Sequence, residues 1–231
     1  MDVSEALARR FTCRAFLPRA VPHATVEHVL RVAGRAPSAG NVQPWQVWAL
    51  TGAPLEALKA QVRAHTSEGR LFETAPEYTI YPEDMGEPYA ARRFRNGEAW
   101  YGALHIARDD HAARMSHVAG NFELYGAPVG IFVAIERTFG AAQWLDLGLF
   151  LQSLMLAAAE RGLDTAPLES WAFWHPTVRA ALKIPENLML VCAVAVGYAD
   201  HEARGNAFRS ERAPLEEWAR FAGFDETLHQ P

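Results

Sequence analysis

The chain has 231 residues, 50% of them hydrophobic and 21% charged, with 16 glycines and 14 prolines, a composition that excludes disordered, collagenous and low-complexity classes. Lys and Arg number 22 against 27 Asp and Glu, a net charge of −5 that argues against general nucleic-acid binding. Its two cysteines, Cys13 and Cys192, can build neither a disulfide scaffold nor a Cys-rich metal site.

The first helix is expected over residues 4–10, with Ser4 as N-cap. Thr25 caps a second helix whose Val26, Val29, Leu30 and Ala33 fall on one face before Gly34 stops it. A turn-rich stretch, APSAGNVQPW (36–45), leads into the β-prone run WQVWALTG, which ends at Gly52. Pro54 then suits the first turn of a helix carrying Leu55, Leu58 and Val62.

Residues 69–118 differ in character: they are rich in aromatics, hold Arg92, Arg93 and Arg95, and show no long apolar strand. They read as an inserted lid of short helices and loops. VGIFVAIE (129–136) is a buried strand, and LMLVCAVAVGY (188–198) another. Between them, 142–162 is apolar around almost its whole circumference and should form a central, fully covered helix, with a further helix starting near Pro176. The start of the chain shows no apolar leader, and no stretch approaches the roughly 18 apolar residues of a membrane span. The expectation is a soluble, cytoplasmic protein of one α+β domain over 1–231 with an insertion at about 69–118.

Fingerprints for dinucleotide folds, P-loops, nucleophile elbows and zincins are all missing. His111 and His117 stand six apart, wrong for a shared helical face, and read as surface residues. What remains is suited to anions. Arg10, Thr12 and Arg14 alternate, so in an extended chain two guanidiniums and a hydroxyl face one side, where Arg forks match phosphate oxygens. A solvated basic face would look the same. Cys13 then points inward as a small buried hydrophobe. The 36–45 loop, with Ser38, Asn41 and Gln43 on a backbone stiffened by two prolines, can present amides to a polar heterocycle, or be an ordinary helix-to-strand turn.

RRFTCRAF (9–16), Val21-Pro22 and APSAGNVQPW together resemble the opening of the FMN-dependent nitroreductase family. The likeness continues through FELYGAPVG (122–130), DLGLFLQSLMLAAAERGLDT (146–165), ALKIPENL, VAVGYAD and FRSERAPLEEW (208–218), so it spans essentially the whole chain; the first and last of these look most like nitroarene and nitrobenzoate reductases.

The resemblance implies a nitroreductase-like α+β fold, with a mostly antiparallel sheet flanked by helices, in an intertwined homodimer with FMN at the interface. It also implies that NADH or NADPH and a small aromatic acceptor visit one flavin face in turn. By position, Arg10, Phe11, Thr12, Cys13 and Arg14 match the first FMN-binding segment, with Arg10 on the phosphate and Arg14 near the pyrimidine edge. Pro37, Ser38, Asn41 and Gln43 match the loop that reaches FMN from the partner subunit. Pro167, Leu168, Glu169 and Ser170 match the segment beside the flavin N5, and Arg209 and Arg212 are the candidates for the C-terminal phosphate contact. No side chain is assigned a catalytic role and no metal is implied.

Phe11, Thr12 and Glu169-Ser170-Trp171 depart from commoner family residues, and the 69–118 segment matches least. Tyr89, Phe94, Trp100 and Tyr101 there either stack on an aromatic acceptor or pack the insertion. Same-fold alternatives are a reductive dehalogenase, disfavoured because no Lys occurs between 60 and 182, and a flavin-fragmenting enzyme, whose members favour Asp where Thr12 stands. A non-catalytic flavin-binding protein is the alternative from another class.

Overall fold

Two strands, β2 (Val129–Glu136) and β4 (Leu188–Gly197), pair antiparallel at the centre of the molecule and are buried almost throughout. Continuous Val, Ile, Leu and Ala runs suit strands covered on both faces. In the computed structural model, which describes residues 1–67 and 69–224, they are flanked by β1 (Gln46–Thr51) and β3 (Asp164–Leu168) in the antiparallel order β1-β2-β4-β3. β3 was not expected from the sequence, because Asp164 and Pro167 are poor strand formers. An edge position admits both, since Pro has no N–H to give and the Asp164 carboxylate accepts from the Ala199 N–H at 3.1 Å.

Side chains alternate across β2. Phe132 and Ala134 join a core with α3 (Gly52–Ser67), Trp171, Trp174 and α7 (His175–Leu182) on one face of the sheet. Ile131, Val133 and Ile135 pack on the other against α2 (His23–Ala33) and α6 (Ala141–Glu160). At Val133/Ala134 the β2–β4 register shifts and leaves Val191 unpaired in the ladder; the Tyr78 hydroxyl donates to its carbonyl at 2.7 Å. Tyr78 also packs on Trp144, tying the segment before α4 (Tyr89–Ala103) to the sheet.

Two caps differ from expectation. α1 (Val3–Arg9) is capped by Asp2, which accepts from the Glu5 N–H while Glu5 accepts from the Asp2 N–H. That reciprocal box outcompetes Ser4. α2 starts at His23 behind Pro22, two residues ahead of Thr25. The larger correction concerns α6. It has the length and composition of a membrane span yet lies against the sheet, burying Leu147, Phe150 and Leu154. It is not fully covered in this chain, for Leu145 and Leu149 are 68% and 43% exposed. Residues 69–118 contain α4 and α5 (His111–Ala119) and no strand among the described residues. Two short helices, α8 (Arg204–Ala207) and α9 (Leu215–Trp218), follow the sheet, and residues 225–231 lie outside the described part.

Candidate functional site

Residues 10–16 run extended beside the sheet: the Cys13 N–H donates to the Thr165 carbonyl at 3.0 Å, and isolated bridges join Thr12 to Thr165 and Phe16 to Ala199. Extended backbone sends alternate side chains to opposite sides. Phe11 and Cys13 therefore turn toward the core, while Arg10, Thr12 and Arg14 line a cleft of about 520 Å³. The Cys13 thiol, fully buried, donates to the Ala15 carbonyl, and burial pushes its pKa up to about 12, so only its backbone serves the site. Phe11 borders the cleft with its ring under the Arg209 guanidinium, 4.1 Å from the centroid.

One residue brings the chain's two ends together. Asn206, 2% exposed, accepts from the Arg14 N–H at 2.8 Å and donates to the carbonyls of Ala15 and Asp200. Buried amides that satisfy backbone groups on two segments lock those segments in register. α8 is thereby fastened beside residues 14–15, and the tail that follows delivers Arg209 and Arg212 to the cleft. Asn206 was missed from the sequence, where a single Asn after Gly carries no signal.

The electrostatics are one-sided. Arg10, Arg14, Arg209 and Arg212 all line this cleft, and no carboxylate does among the described residues. Arg209 and Arg212 donate to main-chain carbonyls of residues 206, 208, 210 and 211 rather than to acids. Desolvation, and then the Arg212 charge, lower the Arg10 pKa. Two cations held together in partly dry surroundings are unfavourable until an anion joins them. Arg14 is held differently: its guanidinium lies 4.3 Å from the Trp100 ring centroid, and the Trp100 indole N–H donates to His117 Nε2 at 3.1 Å. His117 is thus half-buried inside this stack, not the surface residue the sequence suggested. Trp100 is buried against Phe208, whereas Tyr89 and Phe94 remain 62% and 56% exposed.

The other predicted residues lie outside the arginine cleft. Pro167 and Leu168 end β3, and Glu169 and Ser170 open a 3-10 turn (Glu169–Trp174) anchored by the Trp171 indole N–H donating to the Asn121 carbonyl. Desolvation raises the Glu169 carboxyl even though the residue as a whole is exposed. The Ser170 hydroxyl is buried without a hydrogen-bond partner among the described residues. Pro37, Ser38, Asn41 and Gln43 sit on a loop seated on α6, where the Asp146 carboxylate accepts from the Ala39 N–H. The Gln43 N–H donates to Ser38 Oγ at 2.9 Å, and Asn41 and Gln43 adopt left-handed φ of 56° and 51°. Such a backbone is stiff, and the Gln43 side-chain amide donates to the Asn41 carbonyl within it at 2.9 Å. No group of three or more His, Cys, Asp or Glu among the described residues could hold a metal ion.

An antiparallel four-stranded sheet with helices on both faces, bordered by an arginine cleft made from both ends of the chain, is the architecture of a nitroreductase. The sequence model of the nitroreductase family matches residues 7–198, and the chain belongs to that family. It is 36% identical to the 4-nitrobenzoate reductase of Pseudomonas putida over 97% of each chain. It is also 36% identical to the chloronitrobenzene nitroreductase of Comamonas testosteroni over 95% of this chain and 96% of that one. Among solved structures, the FMN and NADPH-dependent nitroreductase NfnB from Sphigopyxis sp. strain HMH superposes with a TM-score of 0.92 at 43% identity, over 97% of this chain and all (100%) of that one. The FMN-dependent NfnB of Mycobacterium smegmatis, solved in complex with NADPH, gives 0.89 at 32% identity, over 96% of this chain and 100% of that one.

Proposed function

We propose that the protein is an FMN-dependent NAD(P)H oxidoreductase that reduces nitroaromatic or quinone-like acceptors. The observation that carries this reading is the cleft with four arginines and, among the described residues, no carboxylate, which fits a phosphate group far better than a neutral ligand. Arg10 and Arg212, already forced together, would hold the FMN phosphate, with Thr12 and Arg209 beside them. Bound FMN supplies two-electron storage between a hydride donor and an acceptor.

The protein's own groups do the rest. Arg14, fixed by Trp100 and by Asn206, supplies positive charge toward the pyrimidine edge. The 167–170 turn offers its backbone toward the ring. The stiff 37–43 loop does not reach this chain's cleft and serves the cleft of a second copy, which makes the working unit a homodimer. Residues 69–118, with Tyr89 and Phe94 exposed, form a lid over an aromatic acceptor.

Purified protein should absorb in the yellow flavin region and oxidise NADPH only when an acceptor is supplied. Varying NADPH against a nitrobenzoate and a quinone without oxygen should give parallel reciprocal plots, because donor and acceptor share one surface. Intersecting lines would mean separate sites and would overturn the shared-face mechanism. Arg212→Ala should weaken FMN binding by roughly ten- to a hundredfold, the worth of one charge-assisted contact. Undiminished flavin retention in both Arg212→Ala and Arg209→Ala would sink the phosphate assignment.

A further inference from the structure

The long helix α6 buries one charged side chain. Asp146 is 6% exposed, and its two carboxylate oxygens accept from the Ala39 N–H at 3.2 and 3.3 Å. Among the described residues this is the one hydrogen bond that ties residues 37–43 to another element. A carboxylate withdrawn from water with a single N–H partner is costly. An apolar side chain would pack under the loop without that cost, so packing alone does not account for an acid here.

The loop braces itself from within. The Asn41 N–H donates to the Ser38 carbonyl at 2.9 Å, the Val42 N–H to the Ala39 carbonyl at 3.2 Å, and the Gln43 N–H to Ser38 Oγ. Gly40, Asn41 and Gln43 all hold left-handed φ, a run that persists only where the surroundings over-determine it. Beyond the loop, the Trp45 ring stacks on Phe150 with centroids 4.9 Å apart. Asp146 and Phe150 stand one turn apart on α6, so the preformed loop is seated on that helix at a polar point and an apolar one. Asn41, Val42 and Gln43, between the two seats, are exposed. Loss of the polar seat would leave the internal hydrogen bonds whole and free the loop's leading end from the helix.

We propose that Asp146 is a positioning residue for the flavin site of a second copy: it holds the 37–43 loop of its own chain where Asn41 and Gln43 meet the flavin in the other copy's arginine cleft. The proposal rests on the oxidoreductase reading above, in which that loop serves a second copy. Asp146 acts through the Ala39 N–H and touches no flavin itself. A charge-assisted hydrogen bond at the start of a stiff loop fixes its placement, because the rigid segment beyond follows its anchored end. Each copy thus completes the other's site, and Asp146 sets how well.

The test is titration of the full-length protein with FMN, read by quenching of flavin fluorescence, with sedimentation on the same samples. Asp146→Ala should remain dimeric and bind FMN about tenfold more weakly, and Asp146→Asn, which keeps an acceptor oxygen, should recover most of the loss. If Asp146→Ala does not fold, Asp146→Ser, too short to reach the Ala39 N–H, takes its place with the same expectation. The decisive sample is a mixed dimer, purified through two different tags, of one Asp146→Ala subunit and one Arg212→Ala subunit. Action across the interface puts both defects in one site, so the mixed dimer should keep one FMN site of wild-type affinity. Two weakened sites and none of wild-type affinity would place the effect of Asp146 within its own chain and overturn the proposal. So would undiminished binding in Asp146→Ala, or loss of its dimer together with its flavin, which would assign the residue to assembly. Wild type that bound no FMN would fell the oxidoreductase reading and this proposal with it, whereas wild type and Asp146→Ala binding FMN equally would fell the proposal alone.

Discussion

Arg14, Trp100 and His117 form a short chain in which each group holds the next. His117 must be unprotonated at Nε2 to accept the indole N–H of Trp100, and Trp100 in turn supports the Arg14 guanidinium. Burial, and then the Arg14 charge, hold the His117 pKa below its ordinary value; Tyr101 and Tyr125 are the other titratable groups against its ring. The sign follows from proton uptake. Below about pH 6.5 the unfolded chain binds a proton that the folded chain resists, so stability is full above that value and declines as pH falls through it. His175, lowered first by desolvation, adds to the same trend. The melting temperature should therefore drop between about pH 7.5 and pH 5.5 in wild type, and less steeply in His117→Gln. A variant with an equally steep decline would show that His117 has no part in the effect.

At the scale of elements, the last residue of β4 shows how closely the site's scaffold is packed. A Cβ built on Gly197 would sit 2.6 Å from Pro128 Cδ and 3.0 Å from Phe16 Cδ1. Pro128 is a ring beside β2, and Phe16 belongs to the extended segment that carries the arginines, so neither can withdraw cheaply. Gly197→Ala should lower stability by about 1–3 kcal/mol, read from the urea midpoint. Gly102, near the end of α4, has open space around its Cβ position. Replacing it by Ala should be neutral or stabilising by up to about 1 kcal/mol. Equal losses at both glycines would refute the packing argument.

On the scale of the whole molecule, a chain with net charge −5 concentrates four arginines in one cleft and leaves an apolar stripe uncovered elsewhere. Leu145 and Leu149 lie one helical turn apart on α6, and Val42 of the loop seated on that helix is 46% exposed. A second copy covering this stripe would bring its 37–43 loop along with it, which is what a shared flavin site requires. Sedimentation at micromolar concentration should show a dimer with an interface of the obligate class, above about 2,000 Å². Leu149→Arg should release monomer and lower flavin content together. A monomer that retained its flavin would contradict the shared site.

Local pattern by itself determined β2, β4, α6 and the alternation of Arg10, Thr12 and Arg14, because burial on both faces and a two-residue period leave their mark on consecutive residues. Motif order gave the family and placed Arg209 and Arg212 with Arg10, although about two hundred residues separate them. Only the tertiary structure decided how they meet. The amide of Asn206 does it, and a residue whose partners lie at 14–15 and 200 leaves no periodic trace in the sequence. The same holds for β3, which its own residues argue against and which exists because β4 offers it an edge. Tertiary context likewise moved His117 from the expected surface into the Trp100 stack and left one side of α6 bare. Contacts of that kind are set by what arrives from distant parts of the chain, so composition and spacing around the residue cannot specify them.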